Sequence, residues 1–220
     1  MNLPEIVRED IEDWLRNGTR LFFNERDMQV SLAARLEKTG RYDSVITEYF
    51  VPNDELKPDY VWDSELRLDI VVSKGGEWVA IELKYKTKAI REPVVRFGES
   101  IEGKSYTVVK NHGAQDLGMY DFWKDVRRLE LVGRRFKAVK GGLALFMTND
   151  ATYLRCPKEN SINCRLSMSA GRKSPDCSWT RQSGSTAGRP DFTLDRHYDI
   201  TWRDTPLEGQ PFKTLILETD

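Results

Sequence analysis

Residues 78–86, WVAIELKYK, begin with four apolar residues and then alternate between apolar and polar from Ile81 to Lys86. This is the period of a β-strand that buries one face. Residues 66–72, LRLDIVV, begin with the same alternation, and the turn-forming residues 73–76, SKGG, separate the two runs. The pattern predicts a β-hairpin in which Leu66, Leu68, Ile70 and Val72 share one face of the first strand, with Asp69 on the other.

Helical and strand-like patterns flank this hairpin. Apolar residues at helical spacing predict helices at 4–16, at 25–39 after an Asn24 cap, and within 113–133. Apolar runs predict further strands at 43–51, 141–150, 192–202 and 212–220. Residues 155–190 are polar and without period, which indicates a mobile loop or an insertion. We therefore expect a single α/β domain spanning 1–220.

Composition and charge indicate which ligands and which cellular compartment the sequence favours. The chain of 220 residues has a formal net charge of −1, so attraction to nucleic acid or to an anionic membrane would have to come from local patches. Apolar runs fall short of the roughly 18 residues that cross a bilayer, and the N-terminus is acidic, so we expect a cytoplasmic protein without membrane association. Three irregularly spaced cysteines and two histidines do not form a zinc signature.

The predicted hairpin places two acidic residues and a lysine on one face. Glu82 and Lys84 point the same way because they are two residues apart in a strand, and Asp69 faces them from the neighbouring strand. Two carboxylates beside a lysine are the parts of a Mg²⁺ site, since hard oxygen ligands hold the ion. Lys84 would lower the pKa of an attacking water or stabilise a pentacovalent phosphate.

This arrangement resembles the PD-(D/E)XK nuclease superfamily, through Asp69 on one strand and Glu82-Leu83-Lys84 on the next. The resemblance implies a restriction-endonuclease-like core, a mixed central sheet flanked by helices, over about residues 21–150. It also implies a Mg²⁺-dependent nuclease acting on DNA, with Mn²⁺ as a substitute ion. The implied metal ligands are Asp69, Glu82, the main-chain carbonyl of Leu83 and an upstream acid that Glu25 matches, with Gln29 one turn later.

The sequence departs from the motif in one respect and offers competing matches. Asp69 follows Leu68, whereas the literal Pro58-Asp59 pair precedes the hairpin. The acid-x-Lys triplet occurs three times, also at 55–57 and 102–104, but only Glu82-Leu83-Lys84 lies in a predicted core strand. The competing interpretations are an ordinary polar strand face and, for Glu25, an ordinary first-turn acid.

Basic residues that would flank such a site are candidates for contacts with a phosphate backbone: Lys86, Lys88, Arg91, Arg127 and Arg128. For the helical arginines a solvated helix face is the alternative, because acidic residues alternate with them. A homodimer would suit double-strand cleavage. The alternative function is a catalytically inactive nuclease-like module that binds nucleic acid or a protein partner.

Overall fold

A mixed six-stranded sheet forms the centre of the protein, whose computed structural model describes residues 1–18, 20–101, 103–181 and 183–219. The α-helices of these residues are α1 Leu3–Asn17, α2 Glu25–Thr39 and α3 Gln115–Arg135. Their strands are β1 Ser44–Val51, β2 Leu66–Lys74, β3 Glu77–Lys86, β4 Ile90–Glu92, β5 Val95–Arg96, β6 Glu99–Ser100, β7 Tyr106–Val109, β8 Val139–Thr148, β9 Gly171–Lys173, β10 Asp176–Cys177, β11 Phe192–Thr193, β12 Tyr198–Ile200, β13 Arg203–Asp204 and β14 Lys213–Thr219. Short 3₁₀ helices lie at Asn53–Leu56, Ala151–Leu154, Cys164–Leu166 and Gly184–Thr186.

The sheet has the order β1-β2-β3-β8-β14-β13, and each pair of neighbours is antiparallel except β3 and β8. A parallel pair requires a crossover connection, and the segment between β3 and β8 contains α3. The crossover helix therefore crosses the strand that carries Glu82 and Lys84. The expectation of a mixed sheet flanked by helices is confirmed at this level.

Helices cover both faces of the sheet, so both faces are buried. α1 and α2 pack on one face against Ile70, Val79 and Ile81. α3 and parts of the segment 150–202 pack on the other face, against Val71 and Ala80. The polar side of β3 is consequently an interior surface beneath α3, and its charged residues need partners there.

Local sequence explains where the two N-terminal helices begin. Asn2 caps α1 by accepting a hydrogen bond from the Glu5 N–H, and the Glu5 carboxylate accepts one from the Asn2 N–H, a reciprocal capping box. Asn24 caps α2 through the Asp27 N–H at 2.8 Å. α2 therefore begins at Glu25, which fixes the position of that carboxylate.

The predicted hairpin is present, with two differences. Its turn is confined to Gly75 and Gly76, both at positive φ, because Ser73 and Lys74 still pair in the ladder. The row of apolar residues on β2 also changes sides: Ile70 and Val72 pack with α1 and α2, whereas Leu66 and Leu68 pack in the cluster beneath α3. The change of side falls at Asp69.

The C-terminal third differs most from expectation. The predicted strand 192–202 was wrong as a single strand, because the Asp195 N–H donates to Glu130 Oε1 and His197 Nδ1 bonds to Lys173 O between β11 and β12. The segment 155–190, which the sequence predicts to be a mobile loop or an insertion, packs against α3: Leu166, Met168, Cys177 and Trp179 are buried in the cluster beneath that helix. None of the helices formed by the described residues is long and apolar enough to cross a membrane.

Gly142 on β8 lets α3 approach the sheet closely. A Cβ at this position would lie 2.6 Å from Thr219 Oγ1 and 2.8 Å from Leu129 Cβ. We expect Gly142→Ala to lower the free energy of unfolding by about 1–3 kcal/mol through overpacking, measured by urea denaturation. Gly113→Ala is the control, since open space surrounds that position; an equal effect in both variants would contradict the close approach.

Candidate active site

The strands β2 and β3 separate at the predicted site. Their ladder of paired residues ends at Ile70 opposite Ile81. Beyond this point the Leu83 N–H donates to Asp69 Oδ2 at 2.6 Å, so a side-chain carboxylate takes the place of a backbone acceptor. The Asp69 carboxylate is thereby held at the opening between the two strands, next to the Glu82-Leu83-Lys84 segment.

The first turns of α2 close this opening from the other side. Gln29 Nε2 donates to the Asp69 carbonyl at 2.7 Å and to Glu48 Oε1 at 3.0 Å. Glu25 Oε2 accepts the Tyr85 N–H at 2.8 Å. The structure thus places Glu25 and Gln29, one helical turn apart, against the backbones of the two strands that carry Asp69 and Lys84.

Lys84 is the cation at the centre of the cluster. Its ammonium lies 2.5 Å from Asp125 Oδ2 on α3 and donates to the Leu83 carbonyl at 3.0 Å. Burial lowers the pKa of Lys84, but the charges of the nearby carboxylates of Asp125, Glu25, Glu82 and Asp69 outweigh it, and the pKa lies well above its ordinary value. Lys84 is therefore a permanent positive charge at neutral pH.

The carboxyl groups of Glu82 and Asp69 lie next to each other between the sheet and α3. Glu82 is 3% exposed, its carboxyl is within hydrogen-bonding reach of Asp69, and its Oε1 accepts no hydrogen bond from the described residues. Burial, followed by the charges of Asp125 and Asp69, raises the pKa of Glu82 well above its ordinary value. Burial likewise raises the pKa of Asp69 from 3.8 to about 6. Both carboxyl groups therefore hold their protons to a higher pH than exposed carboxyl groups do.

A second cation balances the carboxyl groups from α3. Arg128 Nη1 lies 3.3 Å from Asp125 Oδ1, and only 13% of the Arg128 side chain is exposed. Burial lowers the pKa of Arg128, but the charges of Asp125 and Glu82 raise it above its ordinary value. The buried cluster thus contains Asp69, Glu82 and Asp125 with Lys84 and Arg128.

An open groove adjoins the cluster along α3. It has a volume of about 690 Å³ and lies between residues 61–64, the 120–124 part of α3 and residues 188–190. Burial lowers the pKa of Lys124, which lines the groove, to about 8. The Lys124 ammonium lies 5.2 Å from the centroid of the Trp62 ring. None of the five cluster residues lines the groove, but its residues Asp121 and Lys124 lie one helical turn before Asp125 and Arg128.

The basic residues predicted to contact phosphate fall into different environments. Lys86 is half-buried. Burial raises the pKa of Asp121, which lies beside the cluster, and the charge of Lys86 partly opposes that rise. Lys88 and Arg91 are exposed, Lys88 with an ion pair to Asp150 at 3.2 Å. Arg128 belongs to the cluster, whereas Arg127 is buried in ion pairs with Glu130 and Asp195. Arg127 therefore joins α3 to the C-terminal segment, away from Lys84.

The competing sequence matches are not near the cluster. Glu55 pairs with Arg135, and Lys57 pairs with Asp54 at 2.8 Å, in an exposed 3₁₀ helix. Asp59 of the literal Pro-Asp pair is bound to Arg134 at 2.8 Å. Glu102 of the third triplet lies outside the described residues. Among the acids weighed for the first motif position, Asp69 is the one that reaches the Glu-x-Lys strand.

Sequence reasoning missed one member of the cluster, Asp125, and named another, Arg128, only as a candidate contact to phosphate. Acidic and basic residues alternate along α3, which made a solvated face the competing interpretation. A signal was present, because Asp125 lies inside the apolar row formed by Phe122, Val126 and Leu129, where an acid must be buried.

The donor atoms of the cluster suit a hard cation such as Mg²⁺. Carboxylate and carbonyl oxygens are the ligands that such ions prefer, and Glu82 Oε1 is a buried oxygen without a partner. In the described residues no group of three or more His, Cys, Asp or Glu side chains is already arranged to hold a metal ion. Ion binding would require Glu82 and Asp69 to be deprotonated, and the Leu83 carbonyl to exchange the Lys84 ammonium for the ion.

Comparisons with known proteins add no relative: no protein-family model, no curated protein and no solved structure matches this chain. The fold is accordingly described as mixed α/β, and the function is argued from the cluster.

The raised pKa values predict an unusual pH dependence of stability. A carboxyl group whose pKa is higher in the folded than in the unfolded state stabilises fully below its unfolded pKa, and that contribution is lost as pH rises through the folded pKa. For Asp69 this window runs from about 3.8 to about 6, and Glu82 extends it upward. We expect Glu82→Gln to stabilise the protein more at pH 8 than at pH 5, measured by urea denaturation. A Glu55→Gln control should show no such difference, and an equal stability change at both pH values in Glu82→Gln would contradict the assignment.

Proposed function

We propose that the protein is a Mg²⁺-dependent nuclease with a restriction-endonuclease-like core that hydrolyses phosphodiester bonds in DNA. The observation that carries this proposal is the opening of the β2–β3 ladder at Asp69, beside the buried Glu82 and Lys84. Burying two carboxyl groups and an ammonium between a sheet and a helix opposes stability, and such groups cluster at functional sites. The sequence order, acid on one strand and Glu-x-Lys on the next, supports the same function.

The proposal gives each residue a role. Asp69, Glu82 and the Leu83 carbonyl would hold the ion, with Glu25 as a further acid from α2. Bound Mg²⁺, or Mn²⁺ in its place, would offset the charge that develops on phosphorus and lower the pKa of a water. Asp69 is already fixed by the Leu83 N–H, so its orientation does not depend on the ion.

Lys84 supplies a positive charge next to the reacting phosphate. Its raised pKa means that it acts as a fixed cation that stabilises the pentacovalent phosphate, rather than as a base. Asp125 is a positioning residue in this scheme, because it holds the ammonium at 2.5 Å without reaching the substrate itself. The groove along α3 provides room for the phosphate strand beside these groups.

A second candidate is an inactive nuclease-like module that binds nucleic acid or a protein partner. It is favoured because the cluster already balances its own groups: the Leu83 carbonyl accepts a hydrogen bond from the Lys84 ammonium, and burial raises the pKa of Glu82 and of Asp69. Such a module would have no need for a divalent ion. The two candidates therefore differ in their affinity for Mg²⁺.

Cleavage of plasmid and single-stranded DNA by the purified protein tests the enzyme directly. With Mg²⁺ or Mn²⁺ we expect cutting that EDTA abolishes and that Glu82→Gln reduces by about 100-fold or more. Glu82→Gln is preferred because the amide has the same size as the carboxyl group and is uncharged in this buried position.

The identical Glu-Leu-Lys triplet at residues 55–57 provides the matched control. Glu55→Gln changes the same residue type in an exposed ion pair, so it should cut DNA like the wild type. Full activity in Glu82→Gln, or no cutting by folded wild-type protein under any divalent ion, would contradict the nuclease.

Thermal unfolding separates the enzyme from the inactive module. An ion that binds only the folded state at about 100 times its Kd stabilises by about 2.7 kcal/mol, which raises the Tm of a chain of this size by roughly 5–10 °C. We expect this shift with Mg²⁺ at pH 8 in the wild type and in Glu55→Gln, but not in Glu82→Gln. NaCl at equal ionic strength corrects for screening, and an equal shift in all three proteins would rule out the proposed ligands.

A further inference from the structure

Residues 87–112, here called the arm, leave the end of β3 as a two-stranded ribbon. β4 pairs with β7 near its base, and β5 pairs with β6 at its tip. The base is anchored: the Thr87 N–H donates to His112 Nδ1 at 3.1 Å, and Ile90 and Val109 are buried among the residues of α1 and α2. Since β3 carries Glu82 and Lys84, the arm begins at the candidate site.

The tip of the arm exposes apolar side chains. Phe97 is fully exposed, and 61% of Val95 and 39% of Ile101 are accessible. Phe97 and Gly98 form a two-residue turn with φ of 54° and 84°, a left-handed conformation that suits glycine or asparagine and disfavours phenylalanine. An exposed aromatic ring at a strained turn does not help the chain to fold, and this combination indicates a binding role.

The tip lies on the side of the site where α2 begins. The Arg96 guanidinium is 5.9 Å from the centroid of the Phe23 ring, which is itself 47% exposed. Phe23 precedes Glu25 by two residues, and the Glu25 carboxylate accepts the Tyr85 N–H. The contact between Arg96 and Phe23 therefore brings the tip of the arm, where Phe97 is exposed, to the start of α2 near the end of the Glu-x-Lys strand.

The charge of the arm is complementary to phosphate. Residues 87–112 carry five Lys or Arg against three Glu, in a chain of net charge −1. Arg91, Arg96, Lys104 and Lys110 are exposed, and none of them forms an ion pair with an acidic side chain in the described residues. Aromatic rings interleaved with unneutralised cations are the usual surface for unpaired nucleotides, since bases stack on the rings and phosphates meet the cations.

We propose that the arm binds single-stranded DNA beside the site, with Phe97 and Phe23 stacking on unpaired bases and the basic residues contacting the phosphates. This inference rests on the proposed function and names its substrate class, DNA with unpaired nucleotides. The edge of the sheet carries a second exposed aromatic–arginine pair, Phe50 with Arg67 at 5.4 Å, which lies on β1 rather than on the arm.

The test is the binding of a fluorescent dT15 oligonucleotide in EDTA at low salt, followed by anisotropy. We expect Phe97→Asn to weaken binding about tenfold, Phe97→Tyr to restore it, and Phe50→Asn to bind like the wild type. Asparagine suits the left-handed turn and the ring it replaces is exposed, so thermal unfolding should be unchanged. A 15-base-pair duplex should bind with the same affinity to the wild type and to Phe97→Asn.

Two binding results would overturn the proposal: no binding of dT15 by the wild type, or equal binding by the wild type and Phe97→Asn. A third would be a wild-type dimer that Phe97→Asn converts to a monomer in sedimentation, because Phe97 would then serve self-association. Because binding is measured without metal, the two proposals fail separately. A wild type that cuts DNA while Phe97→Asn binds dT15 normally overturns the arm alone. A wild type that binds dT15 through Phe97 but never cuts overturns the nuclease alone.

Discussion

The buried ion pair between Lys84 and Asp125 is the interaction on which the rest of the site depends. It joins the middle of β3 to the crossover helix α3, in a layer where Glu82 is buried and Asp69 is half-buried. Without the ammonium these acids would face each other with Arg128 as their nearest cation, and breaking a buried pair of this kind costs about 3–5 kcal/mol. Lys84 therefore both holds α3 against the sheet and balances the charge of the acids around β3.

The opening of the sheet follows from the same constraint. β2 and β3 cannot separate in an interior unless every released backbone group finds a partner. Asp69 accepts the Leu83 N–H, Glu25 accepts the Tyr85 N–H and Gln29 donates to the Asp69 carbonyl. Polar side chains from β2 and α2 thus substitute for the missing ladder, and the acids that do so are the ones the proposed chemistry requires.

Elements with a long period were predictable from the sequence, and contacts made by isolated residues were not. The hairpin and the three helices have patterns of ten or more residues, so their existence and order were predicted to within a few residues. The buried role of Asp125 was missed because neighbouring basic residues made its helix look solvated. The strand predicted at 192–202 was wrong because tertiary hydrogen bonds to Glu130 and Lys173 interrupt the ladder.

The arm contains two kinds of sequence position: buried positions at its base and exposed positions at its tip. At its base, Ile90 and Val109 contribute to the core, so these positions are constrained by folding. At its tip, residues 95–101 are exposed and belong to neither core cluster. Exposed turns tolerate substitution and insertion far better than buried strands. In evolution the tip can therefore diversify while Asp69, Glu82 and Lys84 stay fixed, which makes it the part of the molecule where relatives would differ most in what they bind.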